Sequence, residues 1–163
     1  MKTDITTDLK SASFEAKREF KADISLVWKA WTEASLLDQW WAPAPWKCET
    51  RHMDFKEGGK WIYEMLGPGG EKHGGIQLYE KIVEEDFFSG KDAFADENGN
   101  IKNDLPVCSW KNTFTKTETG TQVSSVAYYS RPEDLETVLN MGMAEGLTVA
   151  HNQLEEILRE QVS

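Results

Sequence analysis

"VWKAWTEASLLDQWWAPAPW", residues 27–46, places five tryptophans in twenty positions and closes on two prolines. Val27, Trp28 and Trp31 recur at the spacing of one helix face. Asp23 stands upstream as an N-cap for the run that begins at Ile24. Thr32 and Ser35 close that helix and cap a second short one, "LLDQWW". Pro43 and Pro45 end it, because proline lacks a backbone N–H and restricts the residue before it. Trp40 and Trp41 sit about 100° apart on a helix and cannot share a face. One is expected to plug the core and the other to reach a pocket mouth or solvent, so the stretch reads as the lid of a closed-end cavity.

Outward from this pair of helices the pattern changes period. Upstream, "SFEAKREF" alternates from Ser13 as an edge strand, and polar residues 1–11 read as a flexible leader. Downstream, "WKCETRHMDF" alternates, and "KWIYEML" sets Trp61, Tyr63 and Met65 on one face. "IQLYEKIVEE" and "DFFSGKDAF" follow, then "ADENGN" carries the Asn-Gly hairpin signal. "PVCSWKNTFTK" and "TQVSSVAYYS" bring the sheet to about six to seven antiparallel strands. From Pro132 to Gln161 the period becomes helical. Leu135, Val138, Leu139, Gly142, Met143, Gly146, Leu147, Ala150 and Leu154 form one apolar stripe, predicting a single long C-terminal helix. Proline at its start and acids in its first turn suit a helix N-terminus. Each interior glycine costs about 0.5–1 kcal/mol against alanine. Two of them on the buried stripe imply a close approach or a hollow beneath.

The 163 residues predict one domain, 12–163, without repeats or linker. Lysine and arginine total 18 against 28 aspartates and glutamates, a net charge of −10. Such a surface repels phosphate backbones and anionic membranes, which argues against nucleic-acid binding. Arg51, Lys56 and Lys60 are diluted by Asp54 and Glu57 and read as a solvated strand end. Cys48 and Cys108 lack any CxxC or zinc spacing and read as buried free thiols of a reducing compartment. With no apolar signal region and no apolar run of about eighteen residues, the expected location is cytoplasmic, without membrane insertion. The chain is expected to be a monomer or homodimer.

"VWKAWTEASLLDQWW" followed by "FKEGGKWIYEM" (55–65) resembles the family of homologues of the activator of heat-shock protein 90 ATPase, within the START-like helix-grip (SRPBCC) superfamily. The matching positions are Val27, Trp28, Ala30, Thr32, Trp40, Trp41, Gly58, Gly59 and Trp61. "GGIQLYEKIVEEDFF" adds Gly75 and Glu80, and "GMAEGLTVAHNQLEEIL" resembles the family's final helix. Where that family often carries Gly-Trp, this chain has Gly142-Met143, a thioether in place of a ring. The resemblance implies an α+β helix-grip fold: a curved antiparallel sheet around a long C-terminal helix, with two short helices after the first strand. It also implies a cavity between sheet and helix, and a chaperone as a partner.

Hydrolase, P-loop, zincin and EF-hand spacings are missing, and "GPGG" at 67–70 does not join a strand to a helix. No metal or cofactor is expected. His52 with Asp54 reads as a surface pair, His73 as an exposed turn residue and His151 as a boundary histidine. Glu80 shares strand parity with Ile76, Leu78 and Ile82. Pointing inward it would have a raised pKa and serve as an acid or base; a bulge would turn it out. The expected function is binding of an apolar or aromatic small molecule. Its wall would be Trp40, Trp41, Trp61, Tyr63, Met65, Trp110, Leu139, Gly142, Met143 and Gly146, with Glu80 or His151 as polar anchors. The alternatives are a chaperone ATPase-stimulating partner, or a cofactor-free cyclase or hydrolase using Glu80 or His151.

Overall fold

Alternating residues make the strands, and the computed structural model describes them within residues 3–96, 98–102 and 107–162. In chain order these are β1 (Asp4–Asp8), β2 (Ser13–Phe20), β3 (Lys47–Met53), β4 (Lys60–Leu66), β5 (Lys72–Val83), β6 (Phe87–Ala95), β7 (Cys108–Lys116) and β8 (Thr121–Tyr129). They form one open antiparallel sheet in the order β1-β2-β8-β7-β6-β5-β4-β3. Four helices accompany it: α1 (Ile24–Thr32), α2 (Ala34–Trp40), α3 (Pro132–Asn140) and α4 (Met143–Val162). Pro106, at the start of one expected strand, and Glu97, in the hairpin signal, lie outside the described residues.

Three expectations change. The sheet has eight strands rather than six to seven. The added one is β1, in the stretch read as a leader. Its sequence DITTD carries a single large apolar residue, Ile5, which lies opposite Ala16 of β2. An edge strand with so little apolar content shows no period in the sequence. The two short helices consequently follow the second strand. The predicted long helix is two helices, α3 and α4, broken at Met141–Gly142. Gly142 takes φ +85°, a conformation that favours glycine, and its N–H bonds to the Leu139 carbonyl. Leu135 and Val138 before the break and Ala150 and Leu154 after it are all buried. The apolar stripe therefore runs on across a chain that has turned.

The core lies between one face of the sheet and the helices. Trp28 of α1 meets Phe114, Phe88 and Phe55 edge-on, with centroids 5.0, 5.6 and 6.0 Å away. Such pairs add about 0.5–1.5 kcal/mol each beyond the area they bury. Trp40 is buried and donates its indole N–H to the Ala30 carbonyl at 2.9 Å, locking α2 against α1. Gln153 of α4 then holds the end of α2. Its amide donates to the carbonyls of Trp40 (3.0 Å) and Ala42 (2.9 Å) and accepts from the Ala44 N–H (2.8 Å). Arg18 of β2 is fully buried and ties the sheet to α4 through Asn152 (2.7 Å) and Glu155 (3.3 Å).

Candidate functional site

A cavity of about 480 Å³ lies between the sheet and the Met143–His151 segment of α4. Its floor follows from strand register. Trp61, Gln77, Asp92, Cys108 and Tyr129 stand directly opposite one another on β4, β5, β6, β7 and β8. Residues paired in this way share a face of the sheet. Gln77, Asp92, Cys108 and Tyr129 therefore make a polar row across the floor. Two positions along, about 7 Å away, Trp110 lies between Gly90 and Ala127. A Cβ on Gly90 would come within 3.2 Å of the Trp110 ring, so glycine leaves the indole its place.

The wall is aromatic. Trp31, Trp40, Trp41, Trp46, Tyr63 and Trp110 all border the hollow. Tyr63 stacks on Trp61 at 4.2 Å and lies across Gly75, where a Cβ would fall 2.3 Å from the phenol ring. Gly75 therefore allows Tyr63 to lie over the sheet. Met65, Gly142, Met143 and Gly146 also stand at the border, and a Cβ on Gly146 would touch only Pro43, at 3.6 Å. Trp46 meets His73 edge-on at 5.1 Å, and both border the cavity with the exposed Met141.

Asp92 borders the hollow and is half-buried. Its Oδ1 accepts from the Cys108 thiol at 2.7 Å. Loss of water raises its pKa to about 6, with the thiol hydrogen bond acting the other way. Burial pushes Cys108 up, reinforced by the Asp92 charge, and burial likewise raises Tyr63 and Tyr129. Near neutral pH the thiol and both phenols are uncharged.

His151, also at the border, is 2% exposed. Thr3 Oγ1 accepts from Arg18 at 3.1 Å and lies 2.9 Å from His151 Nδ1. Burial lowers the histidine pKa to about 4, and the Arg18 charge adds to the effect. The ring is neutral, poorly suited to accept a proton at physiological pH.

Of the wall residues read from sequence, Trp40, Trp41, Tyr63, Met65, Trp110, Gly142, Met143 and Gly146 border the cavity. Trp61 and Leu139 do not. Trp61 lies under Tyr63, 1% exposed, with its N–H donated to Thr50 Oγ1 at 3.0 Å. Leu139 packs against the core from the last turn of α3. Glu80 is exposed, because Gln77 and Tyr79 take the inner face of β5 and alternation leaves Ile76, Leu78 and Glu80 on the other. The inward-acid expectation for Glu80 is therefore corrected. Sequence reading missed Gln77, Asp92 and Cys108. The signal was present in β6, where Phe88, Gly90, Asp92 and Phe94 share one parity, an acid on an otherwise apolar face.

Among the described residues, no cluster of three His, Cys, Asp or Glu side chains is placed to hold a metal ion. None of their helices is long and apolar enough to cross a membrane. The family described as Activator of Hsp90 ATPase homolog 1-like protein matches residues 21–159. Protein Ms6760 from Mycobacterium smegmatis is 34% identical over 97% of each chain, with a TM-score of 0.90. A protein from Arthrobacter aurescens is 30% identical, over 96% of this chain and 91% of its own, with a TM-score of 0.90. A protein from Staphylococcus epidermidis shares the fold at 22% identity, over 98% and 95% of the two chains, with a TM-score of 0.85. No curated protein matches the chain at a significant level.

Proposed function

The chain belongs to the Activator of Hsp90 ATPase homolog 1-like family, and we propose that it is a binding protein for a small apolar or aromatic molecule. One observation carries this reading: a hollow of about 480 Å³, walled by tryptophans, where a pure core would be filled. Ligand sites commonly occupy about 300–1,000 Å³, mostly apolar with a few placed polar groups. A guest burying roughly 200 Å² of apolar surface gains about 5 kcal/mol from desolvation, before ordering losses are subtracted. Five tryptophans at the border make binding visible as a change in intrinsic fluorescence.

The test is native mass spectrometry and tryptophan fluorescence with a panel of aromatic and lipid-like compounds. Retained ligand and a saturable fluorescence change are expected. A panel that leaves both signals unchanged removes the reading. A chaperone-stimulating role draws its support from the family description alone, and a flat ATPase response with a purified heat-shock protein 90 would dismiss it. Acid–base catalysis draws none from Glu80, which stands outside the cavity.

A further inference from the structure

Asp92 is the one carboxylate at the cavity border, and no lysine or arginine stands there among the described residues. Its Oδ1 is engaged by the Cys108 thiol, and its Oδ2 meets no donor among the described residues. Gln77, directly opposite on β5, is 5% exposed, and its amide makes no side-chain hydrogen bond among them either. The groups facing Asp92 from β4, β7 and β8 are Tyr63, Cys108 and Tyr129, none of them basic. His151 borders the cavity from α4 already paired to Thr3, and His73 stands beside Trp46. The border thus carries one carboxylate with no lysine or arginine among the described residues to answer it, and its other unpaired polar groups are neutral, among them the indole N–H groups of Trp31 and Trp110.

This arrangement discriminates among guests. A wholly apolar guest would strip water from the carboxylate and give nothing in return, which is costly. An anionic guest would meet the Asp92 charge with no lysine or arginine among the described residues to offset it. A guest with a protonated amine restores what desolvation removes: an ion pair to Oδ2 and a hydrogen bond to the Gln77 carbonyl. Its charge can also rest against indole rings, which attract cations, and Trp110 lies two positions along the strand from Cys108. The protein's net charge of −10 favours approach of cations over anions.

We propose that the cavity selects organic amines: an apolar, preferably aromatic body among the tryptophans, with its ammonium group paired to Asp92 and Gln77. This rests on the ligand-binding reading above and names the chemical class of the guest.

Three probes of matched shape separate the two claims: tryptamine (cationic), 3-propylindole (neutral) and indole-3-propionic acid (anionic). Each is titrated calorimetrically into the full chain and into Asp92→Asn. The expected order is tryptamine tightest by about tenfold over the neutral probe, with the acid weakest. In Asp92→Asn the advantage of the amine disappears while the neutral probe still binds. Equal binding of amine and neutral probe by the unaltered protein overturns the amine assignment and leaves the binding function standing. Tightest binding by the acid also overturns it. If no probe binds, the amine assignment falls, and the wider panel above decides the binding function. The comparison within the unaltered protein decides the matter even if the variant folds poorly.

Discussion

Arg18 and Asp92 are both charged groups set inside the protein, and their surroundings are opposite. Arg18 has a counter-charge: its Nη1 donates to Thr3 and Asn152, its Nη2 stands 3.3 Å from the Glu155 carboxylate, and only Nε lies without either, while Thr3 also hydrogen-bonds His151. The partners are Thr3, just before β1, and residues of α4, so the cluster fastens β2 and the segment before β1 to that helix. Asp92 has one thiol and a hollow. A buried charge with its partners supplied by the fold is part of the architecture. One at the border of a cavity with no lysine or arginine among the described residues has its partner still to come.

The pH dependence of stability gives the sharpest separation of the two regions. His151 titrates near 4 when folded and near 6.5 when unfolded, so it adds stability above pH 6.5 that is lost as pH falls toward 4. Asp92 titrates near 6 when folded and near 3.9 when unfolded, so its contribution is present below pH 4 and lost as pH rises through 6. Each effect is on the order of 2–3 kcal/mol, and between pH 4 and 6 they oppose. Relative to the unaltered protein, Asp92→Asn is expected to gain stability with rising pH over that range. His151→Gln is expected to lose it. Urea melts at half-unit pH intervals check both signs. Parallel curves for all three proteins would erase the distinction.

Next in size is Arg18→Met, expected to lose about 2 kcal/mol in urea unfolding. Glu155 keeps some solvent and moderates the effect. The amine preference should survive, since Arg18 does not border the cavity. Loss of that preference with the fold intact would join the two regions. A smaller change is expected from Gly146→Leu. Replacing a helical glycine adds about 0.5–1 kcal/mol of helix propensity, the new Cβ has room, and the side chain would occupy the hollow. A thermal melt showing lower stability would mean that the space is not free. Smallest of all, Glu80→Gln should leave stability within about 0.5 kcal/mol and binding unchanged. A large loss of either would return Glu80 to the site.

Much of this was legible in the sequence where period and burial coincide. Alternation placed Tyr63, Met65 and Trp110 on the inner face, and helical spacing placed Met143 and Gly146 at the cavity. The adjacent tryptophans divide as helix geometry requires: Trp40 is buried and bonded to Ala30, while Trp41 is half-buried at the border. Parity does not say which face of a strand is the inner one: on β5 it is that of Gln77 and Tyr79, so Glu80 falls outside with Leu78, and a left-handed glycine at 142 broke one helix into two. Trp61 has the right parity, yet Tyr63 covers it by lying across Gly75, a tertiary choice that one strand does not encode. The row Gln77–Asp92–Cys108–Tyr129 draws one residue from each of four strands. Only the pairing register brings these together.

The central claim is that the hollow under α4 is a binding site. The direct measurement is a calorimetric titration of 3-propylindole into the unaltered protein and into Gly146→Leu. The account predicts saturable one-to-one binding by the first and none by the second, with both proteins folded. Equal affinity in both would place the guest elsewhere and contradict it.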